Sequence, residues 1–190
     1  MEDKVFGLYE DGSIVSWDVK EFNALEHIKP ANYSQCGHKF FLKVNGWTAI
    51  LTYLVQSGSD LLAVSRFNRQ VLIDDDIVYN VDYFWRTNDF KVYRFKTEDK
   101  SWEKIEDLGE VALVVGGNSS MCVSVTHTNG LQPNCIYFTD DLDMCWLSVT
   151  KPGGHYTGVF DVKSHEIRQF YEGDDMHSSF APPILFIPQF

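Results

Sequence analysis

The chain is poor in positive charge. Sixteen Lys and Arg stand against 27 Asp and Glu in 190 residues, a net charge of −11. Nucleic-acid phosphates call for a basic footprint, so nucleic acid is not an expected partner. Long apolar runs are also missing. The longest, near Ile50 to Val55, is far short of a membrane span. The first residues, MEDKVFGLYE, have neither the basic n-region nor the apolar h-region of a secretory signal. The expected location is therefore the cytoplasm, the nucleus or both, and no membrane partner is expected. The Asn-x-Ser sequons at Asn32 and Asn118 are read as chance matches. Cysteine is scarce: Cys36, Cys122, Cys135 and Cys145 show no CxxC spacing and are expected as free thiols, Cys122 and Cys135 on strands. None of the six histidines pairs with another His or Cys at zinc-ligand spacing. There is no GxSxG elbow. Ser119 and Ser120 follow Gly116-Gly117, but the lysine and helix of a phosphate loop are lacking. Helical periodicity is nearly absent. The best candidate is VKEFNALEHI, residues 19–28, with Pro30 to stop it.

What is present is a repeated strand, polar turn, strand. VFGLYEDGSIVSWDV turns at Glu10 to Ser13, where Asp11-Gly12 supplies the positive φ of a tight hairpin. KFFLKVNGWTAILTYLV turns at Asn45-Gly46, TYLVQSGSDLLAVSRF at Ser57 to Asp60, and FKVYRFKTEDKSWEKI near Glu98 to Lys100. VALVVGGNSSMCVSV breaks at Gly116-Gly117, and GVFDVKSHEIRQFY turns around Lys163 to His165. In FKVYRF, Phe90, Val92 and Arg94 alternate with Lys91, Tyr93 and Phe95, which suits a strand covered on both faces. The class is all-β: a sandwich, a barrel or a propeller. A weak repeat at 5–19, 90–106 and 157–171 favours a propeller. With about 40 to 50 residues per blade, 190 residues give a partial β-propeller of about three to four blades built from short antiparallel strands.

The chemistry-bearing candidates are few. Asp140 and Asp141 close the stretch PNCIYFTDD. Adjacent strand residues point to opposite faces, so they cannot both address one substrate without an unusual turn. Asp141 and Asp143 have alternate spacing, but the glycine and Glu of a calcium loop do not follow. Asp also ends strands by bonding the local backbone, and that is how the run is read. Asp74 to Asp76, and Asp174 and Asp175, read as solvated loops. No catalytic residue, metal or cofactor is expected. Trp17 and Trp102 fall in strands and read as packing residues. Trp85 and Arg86 in DYFWRT, and Trp146 in DMCWLS, fall in less regular segments. Binding surfaces gather on loops and hot spots favour Trp and Arg, so these three are the candidate partner-binding residues.

Four elements occur in an order that resembles a known family: the strand-turn-strand at 90–106, LG-x-x-AL-x-x-G at Leu108 to Gly116, Asn-x-Ile-Tyr-Phe-Thr-Asp-Asp at Asn134 to Asp141, and Gly158 to Phe160. Together with YLVQSGSDLLAVSRF, GSIVSWD and the Pro-rich APPILFIP, they resemble the domain found C-terminal to the F-box in many plant F-box proteins, the KIB-type β-propeller. The resemblance covers most of the chain. It implies a single propeller-like domain over residues 1–190 that recruits a protein substrate to a Skp–cullin–F-box ubiquitin ligase. Binding of the Skp adaptor would need an F-box, a helical segment opening on Leu-Pro, and no such segment is read in this chain. Tyr156-Thr157 departs from the acidic residue that the family tends to place before Gly-Val-Phe. The alternatives are a carbohydrate-binding or hydrolytic propeller, with the loops around Asp74 to Asp76 and Asp140 to Asp143 as its site, and a truncated product without function.

Overall fold

A computed structural model describes residues 4–9, 11–21, 23–29, 39–43, 46–72, 83–117, 120–127, 130–139 and 157–170. They form thirteen strands and a single 3-10 turn at Val125–His127. Sheet 1 is the meander β1 (Lys4–Leu8), β2 (Ile14–Asp18) and β3 (Ala24–Ile28). Sheet 2 runs in chain order through β4 (Lys39–Lys43), β5 (Gly46–Ser57), β6 (Asp60–Leu72), β7 (Tyr83–Lys96) and β8 (Ser101–Ile105), all antiparallel. Sheet 3 contains β9 (Val111–Val115), β10 (Ser120–Ser124), β11 (Cys135–Phe138), β12 (Gly158–Asp161) and β13 (Ile167–Gln169), in the spatial order β10-β9-β11-β12-β13.

Turn chemistry explains the hairpins. Gly12 has φ +75°, and the Asp11 carboxylate accepts the Ser13 N–H at 3.0 Å, the local bond that Asp makes in turns. Gly58 (φ +58°) closes β5 onto β6, with Ser57 paired to Asp60, and Lys100 (φ 53°) closes β7 onto β8, with Lys96 paired to Ser101. The turn between β12 and β13 is wrapped around Asp161. Its carboxylate accepts the N–H groups of Lys163 and Ser164 at 2.9 Å each, and His165 adopts φ 59°.

Two sequence expectations give way. Residues 24–28, inside the segment whose spacing suggests a helix, are strand β3. Pairing with β2, Ile28 opposite Ile14, outweighs the helical preference of Ala, Leu and Glu, because propensity is a weak prior against tertiary pairing. The strands of sheet 2 are also not all short: β5, β6 and β7 have 12, 13 and 14 residues.

Sheet 2 is the middle layer. Val55, Val64, Phe90 and Val92 on one face pack against Leu113, Val115, Ile136, Phe138 and Phe160 of sheet 3. Ala63, Tyr93 and Phe95 on the other face pack, with Trp102, against Ile14, Phe6 and Ile28 of sheet 1. The alternation of FKVYRF is thus the signature of a strand buried on both sides. Burial of a side chain such as Phe138, with 0% exposure, stabilises the fold by about 1.5–3 kcal/mol. Strands β9 and β11 pair in parallel, Ile136 opposite Leu113. Both read as unbroken apolar runs, VALVV and CIYF, as parallel strands covered on two faces do. Cys135 and Tyr137 point away from sheet 2 into a second cluster with Ala112, Val114 and Val159.

Candidate functional site

Two features stand out where the sheets meet. The first is a cavity of about 640 Å³ between sheet 1 and the turns of sheet 2. Its apolar lining comes from Phe6, Ile14 and Ile28 on sheet 1 and from Leu61 and Phe95 on sheet 2. Asp60, Arg94 and Lys96 stand at its edge. These charges are paired: Arg94 Nε lies 2.9 Å from Asp60 Oδ2, and Lys96 Nζ lies 3.0 Å from Glu103 Oε1. The Glu103 hydrogen bond holds the Lys96 ammonium above its ordinary pKa, so Lys96 stays protonated. Lys4, Glu26 and Glu98 also line it, so the cavity is apolar in part and rimmed by charge of both signs.

The second feature is a buried polar staple between sheets 2 and 3. The register of β6 and β7 slips at Phe67 and Asn68: Phe67 pairs with Asp89 and Asn68 with Thr87, so Asn88 is the extra residue of a bulge. Next to it lies Arg66, 1% exposed. Its Nε donates to Thr87 Oγ1 at 2.8 Å and its Nη1 to the Thr139 carbonyl at 2.5 Å. The Thr87 hydroxyl donates to Asn68 Oδ1 at 2.9 Å, and the guanidinium lies 4.7 Å from the Phe138 ring centroid. Asn68 Nδ2 is buried with no acceptor among the described residues. A buried guanidinium must spend its donors on fixed acceptors, and here it fixes the backbone carbonyl that ends β11.

Asn134 does the same at the other end of β11. It holds φ 59°, a conformation that Asn tolerates better than most residues. Its Oδ1 accepts the Leu108 N–H at 2.8 Å, its N–H donates to the Val111 carbonyl at 2.9 Å, and its carbonyl accepts the Val162 N–H at 3.1 Å. The stretch NCIYFT is therefore a buried strand pinned at both ends. Asp140 and Asp141, which follow it, lie outside the described residues, as do Asp74 to Asp76 and Asp143.

Two of the three partner-binding candidates fall among the described residues, both on a strand. Trp85 and Arg86 lie within β7, with Cα partners Gln70 and Arg69. The segment reads as irregular in the sequence because the bulge breaks its alternation. Arg86 is exposed, and Trp146 lies outside the described residues. Trp17 and Trp102 are strand residues as expected; Trp102 Nε1 donates to the Gly12 carbonyl at 3.2 Å, tying sheet 2 to the first hairpin. Cys122 and Cys135 are free thiols on β10 and β11. Burial, with the nearby Asp161 charge second, pushes the Cys135 thiol up, away from the thiolate that nucleophilic chemistry needs. Among the described residues no group of three His, Cys, Asp or Glu could hold a metal ion, and no helix is long and apolar enough to cross a membrane. Sequence reasoning missed Arg66 and Asn68. The signal was there: both lie in phase with Leu62 and Val64, on the face of β6 that the apolar pattern buries.

Comparison with known proteins agrees with these sheets. The KIB1-4 β-propeller family matches residues 1–161. Three Arabidopsis thaliana proteins that carry F-box protein names are similar. The first is 32% identical over 84 residues, covering 44% of this chain and 21% of that protein. The second is 37% identical over 60 residues, 32% of this chain and 16% of its own length. The third is 38% identical over 55 residues, 29% and 13%. The matched stretches thus span about a fifth or less of each of these relatives. No solved structure matches. With its all-β sheets and a match that runs from residue 1 to residue 161, the chain belongs to the KIB1-4 β-propeller family.

Proposed function

We propose that the chain is a non-catalytic protein-binding domain of an F-box-type protein, and that it recruits a protein substrate to a Skp–cullin–F-box ubiquitin ligase. The family match over residues 1–161, together with the F-box names of the three Arabidopsis relatives, carries this reading. Fold alone does not assign function, but the described surfaces are consistent with it: a cavity lined by both apolar and charged residues, and buried polar groups spent on structure. In this proposal the 190 residues act as one domain in the cytoplasm or nucleus, and Trp85, Arg86 and Trp146 belong to the partner surface. The Skp adaptor is reached through an F-box and not through these sheets. The test is size-exclusion light scattering of the purified chain with a Skp adaptor. The chain is expected to elute alone, at its own 21.9 kDa or as a multiple of it. A stable complex with the adaptor would overturn this division of labour.

A further inference from the structure

We propose that the outer face of sheet 1, with Trp17, Tyr9 and His27 as its rings, docks an uncharged, proline-rich segment of the recruited protein. The inference rests on the protein-binding role proposed above and names the chemistry of one segment of the partner.

The face follows from strand alternation. Phe6, Leu8, Ile14 and Ile28 turn inward and pack against sheet 2. Val5, Gly7, Tyr9, Val15, Trp17 and His27 therefore turn outward. Six large hydrophobic side chains are exposed among the described residues, and four of them, Val5, Tyr9, Val19 and Leu25, belong to sheet 1 or to residues beside its strands. Such a concentration marks an interaction surface. The rings on this face are held in place. A Cβ at Gly7 would stand 2.7 and 2.9 Å from two ring carbons of Trp17, so the bare glycine lets the half-buried indole lie across β1. Tyr9 and His27, both exposed, form a ring pair with centroids 5.9 Å apart. Val15, in register with Gly7 and His27, is the buried centre of the face.

Charge and hydrogen bonding select the occupant. In a chain of net charge −11, the strands carry no carboxylate or ammonium group on this face. Lys4 and Glu26 line the cavity on the inner side. Asp18, in register with Lys4, accepts the N–H groups of Lys20 and Glu21, and Asp11 and Lys29 lie beyond the strand ends. A charged segment would lose its hydration here and gain no counter-charge, so the complementary segment is uncharged. The polar handles of the face are donors. Neither the Trp17 indole N–H nor the Tyr9 hydroxyl makes a hydrogen bond among the described residues, and an indole N–H can only donate. Proline residues have no N–H, and in the polyproline II conformation their carbonyls are free to accept. Gly7 and Tyr9, two residues apart on β1, are spaced by about 6.8 Å; two residues of polyproline II rise about 6.2 Å. Successive turns of such a segment can therefore meet the indole and then the Tyr9-His27 pair, the aromatic docking by which proline-rich segments are held. A second copy of the face would set donors against donors.

The experiment uses the full chain and a fluorescein-labelled oligoproline, followed by anisotropy at low and at physiological salt. Binding is expected, and it should change little with salt because no ion pair is involved. Tyr9→Phe and Trp17→Phe keep a ring and lose one donor each, so each should weaken binding about five- to tenfold. Tyr9→Ser, at an exposed position, should abolish it. Unchanged melting temperatures would show that the variants fold. The proposal is overturned if oligoproline does not bind, if the Tyr9→Phe, Trp17→Phe double variant binds like the parent, or if a peptide with alanine in place of proline binds equally well. It is also overturned if light scattering shows a dimer that Tyr9→Ser dissolves, since a second copy then covers the face. Should Tyr9→Ser still retain the protein held by the parent chain, the face is not its dock and this inference fails while the proposed function stands. If the parent chain retains no protein, the proposed function fails and takes this inference with it.

Discussion

Asn134 offers the sharpest test of how the family-like stretch PNCIYFTDD is held. Two separate physical effects meet at this one residue. Its backbone sits at φ 59°, which costs an ordinary L-residue about 1–2 kcal/mol. Its side-chain Oδ1 accepts the Leu108 N–H at 2.8 Å, a bond worth about 1 kcal/mol net. Asn134→Ala removes both and should cost about 2–3 kcal/mol. For a domain of this size that is a drop in Tm of about 4–12 °C. Asn134→Gly relieves the backbone conformation and forfeits only the side-chain bond, apart from the backbone entropy of glycine, so it should cost about 1–2 kcal/mol. Asn134→Asp keeps both the acceptor and the tolerance of positive φ and should lie closest to the parent. Thermal and urea denaturation of the three variants decide the matter. The reasoning is refuted if Asn134→Ala melts with the parent, or if Asn134→Gly is as damaging as Asn134→Ala.

Other changes probe the remaining supports. Gly158→Ala would set a Cβ 2.6 Å from the Arg168 carbonyl oxygen and 3.2 Å from the Phe138 ring, so it should destabilise by about 1–3 kcal/mol; a parent-like urea midpoint would count against that packing. Arg66→Met should cost about 2 kcal/mol or more, because the buried Thr139 carbonyl loses its donor, with faster amide exchange near β11 as the local readout. The Ser164 N–H, and after it that of Lys163, hold the Asp161 carboxyl below its ordinary value against an opposing effect of burial. Its contribution is therefore full above the unfolded pKa of about 3.9 and is lost as pH falls through the lower folded value. Asp161→Asn should then be less stable than the parent near neutrality, by less than about 1 kcal/mol at this largely exposed turn. The two should converge in acid; a difference that persists at low pH would contradict the assignment.

Much of this fold is legible in the sequence because its turns carry their own chemistry. Asp11-Gly12, Gly58 and the Lys100 turn place the hairpins, and the alternation of FKVYRF announces a strand with two covered faces. The four-residue run CIYF between turn residues gives the buried β11. What was not legible depends on partners distant in the chain. The helix-like spacing of 19–28 yields to the pairing of Ile28 with Ile14. The bulge at Phe67 and Asn68 hides the first half of β7, since one extra residue shifts the alternation. The parallel pairing of β9 with β11 joins strands separated by a hairpin, which no local pattern encodes. For the same reason the opposed Arg69 and Arg86, seventeen positions apart, come together only through register. Trp85 and Arg86 could be chosen from residue type, but residue type does not reveal what stands beside them.

The central claim is that this propeller-type domain selects a protein for ubiquitination. The most direct measurement joins the F-box of one of the Arabidopsis relatives to the chain and reconstitutes it with a Skp adaptor, a cullin and the ubiquitin-transfer enzymes. A protein retained by the unfused chain is then followed for modification. The account predicts ubiquitin chains on that protein only when both the F-box and the propeller domain are present. Retention without modification, or modification that does not need the propeller domain, would contradict it.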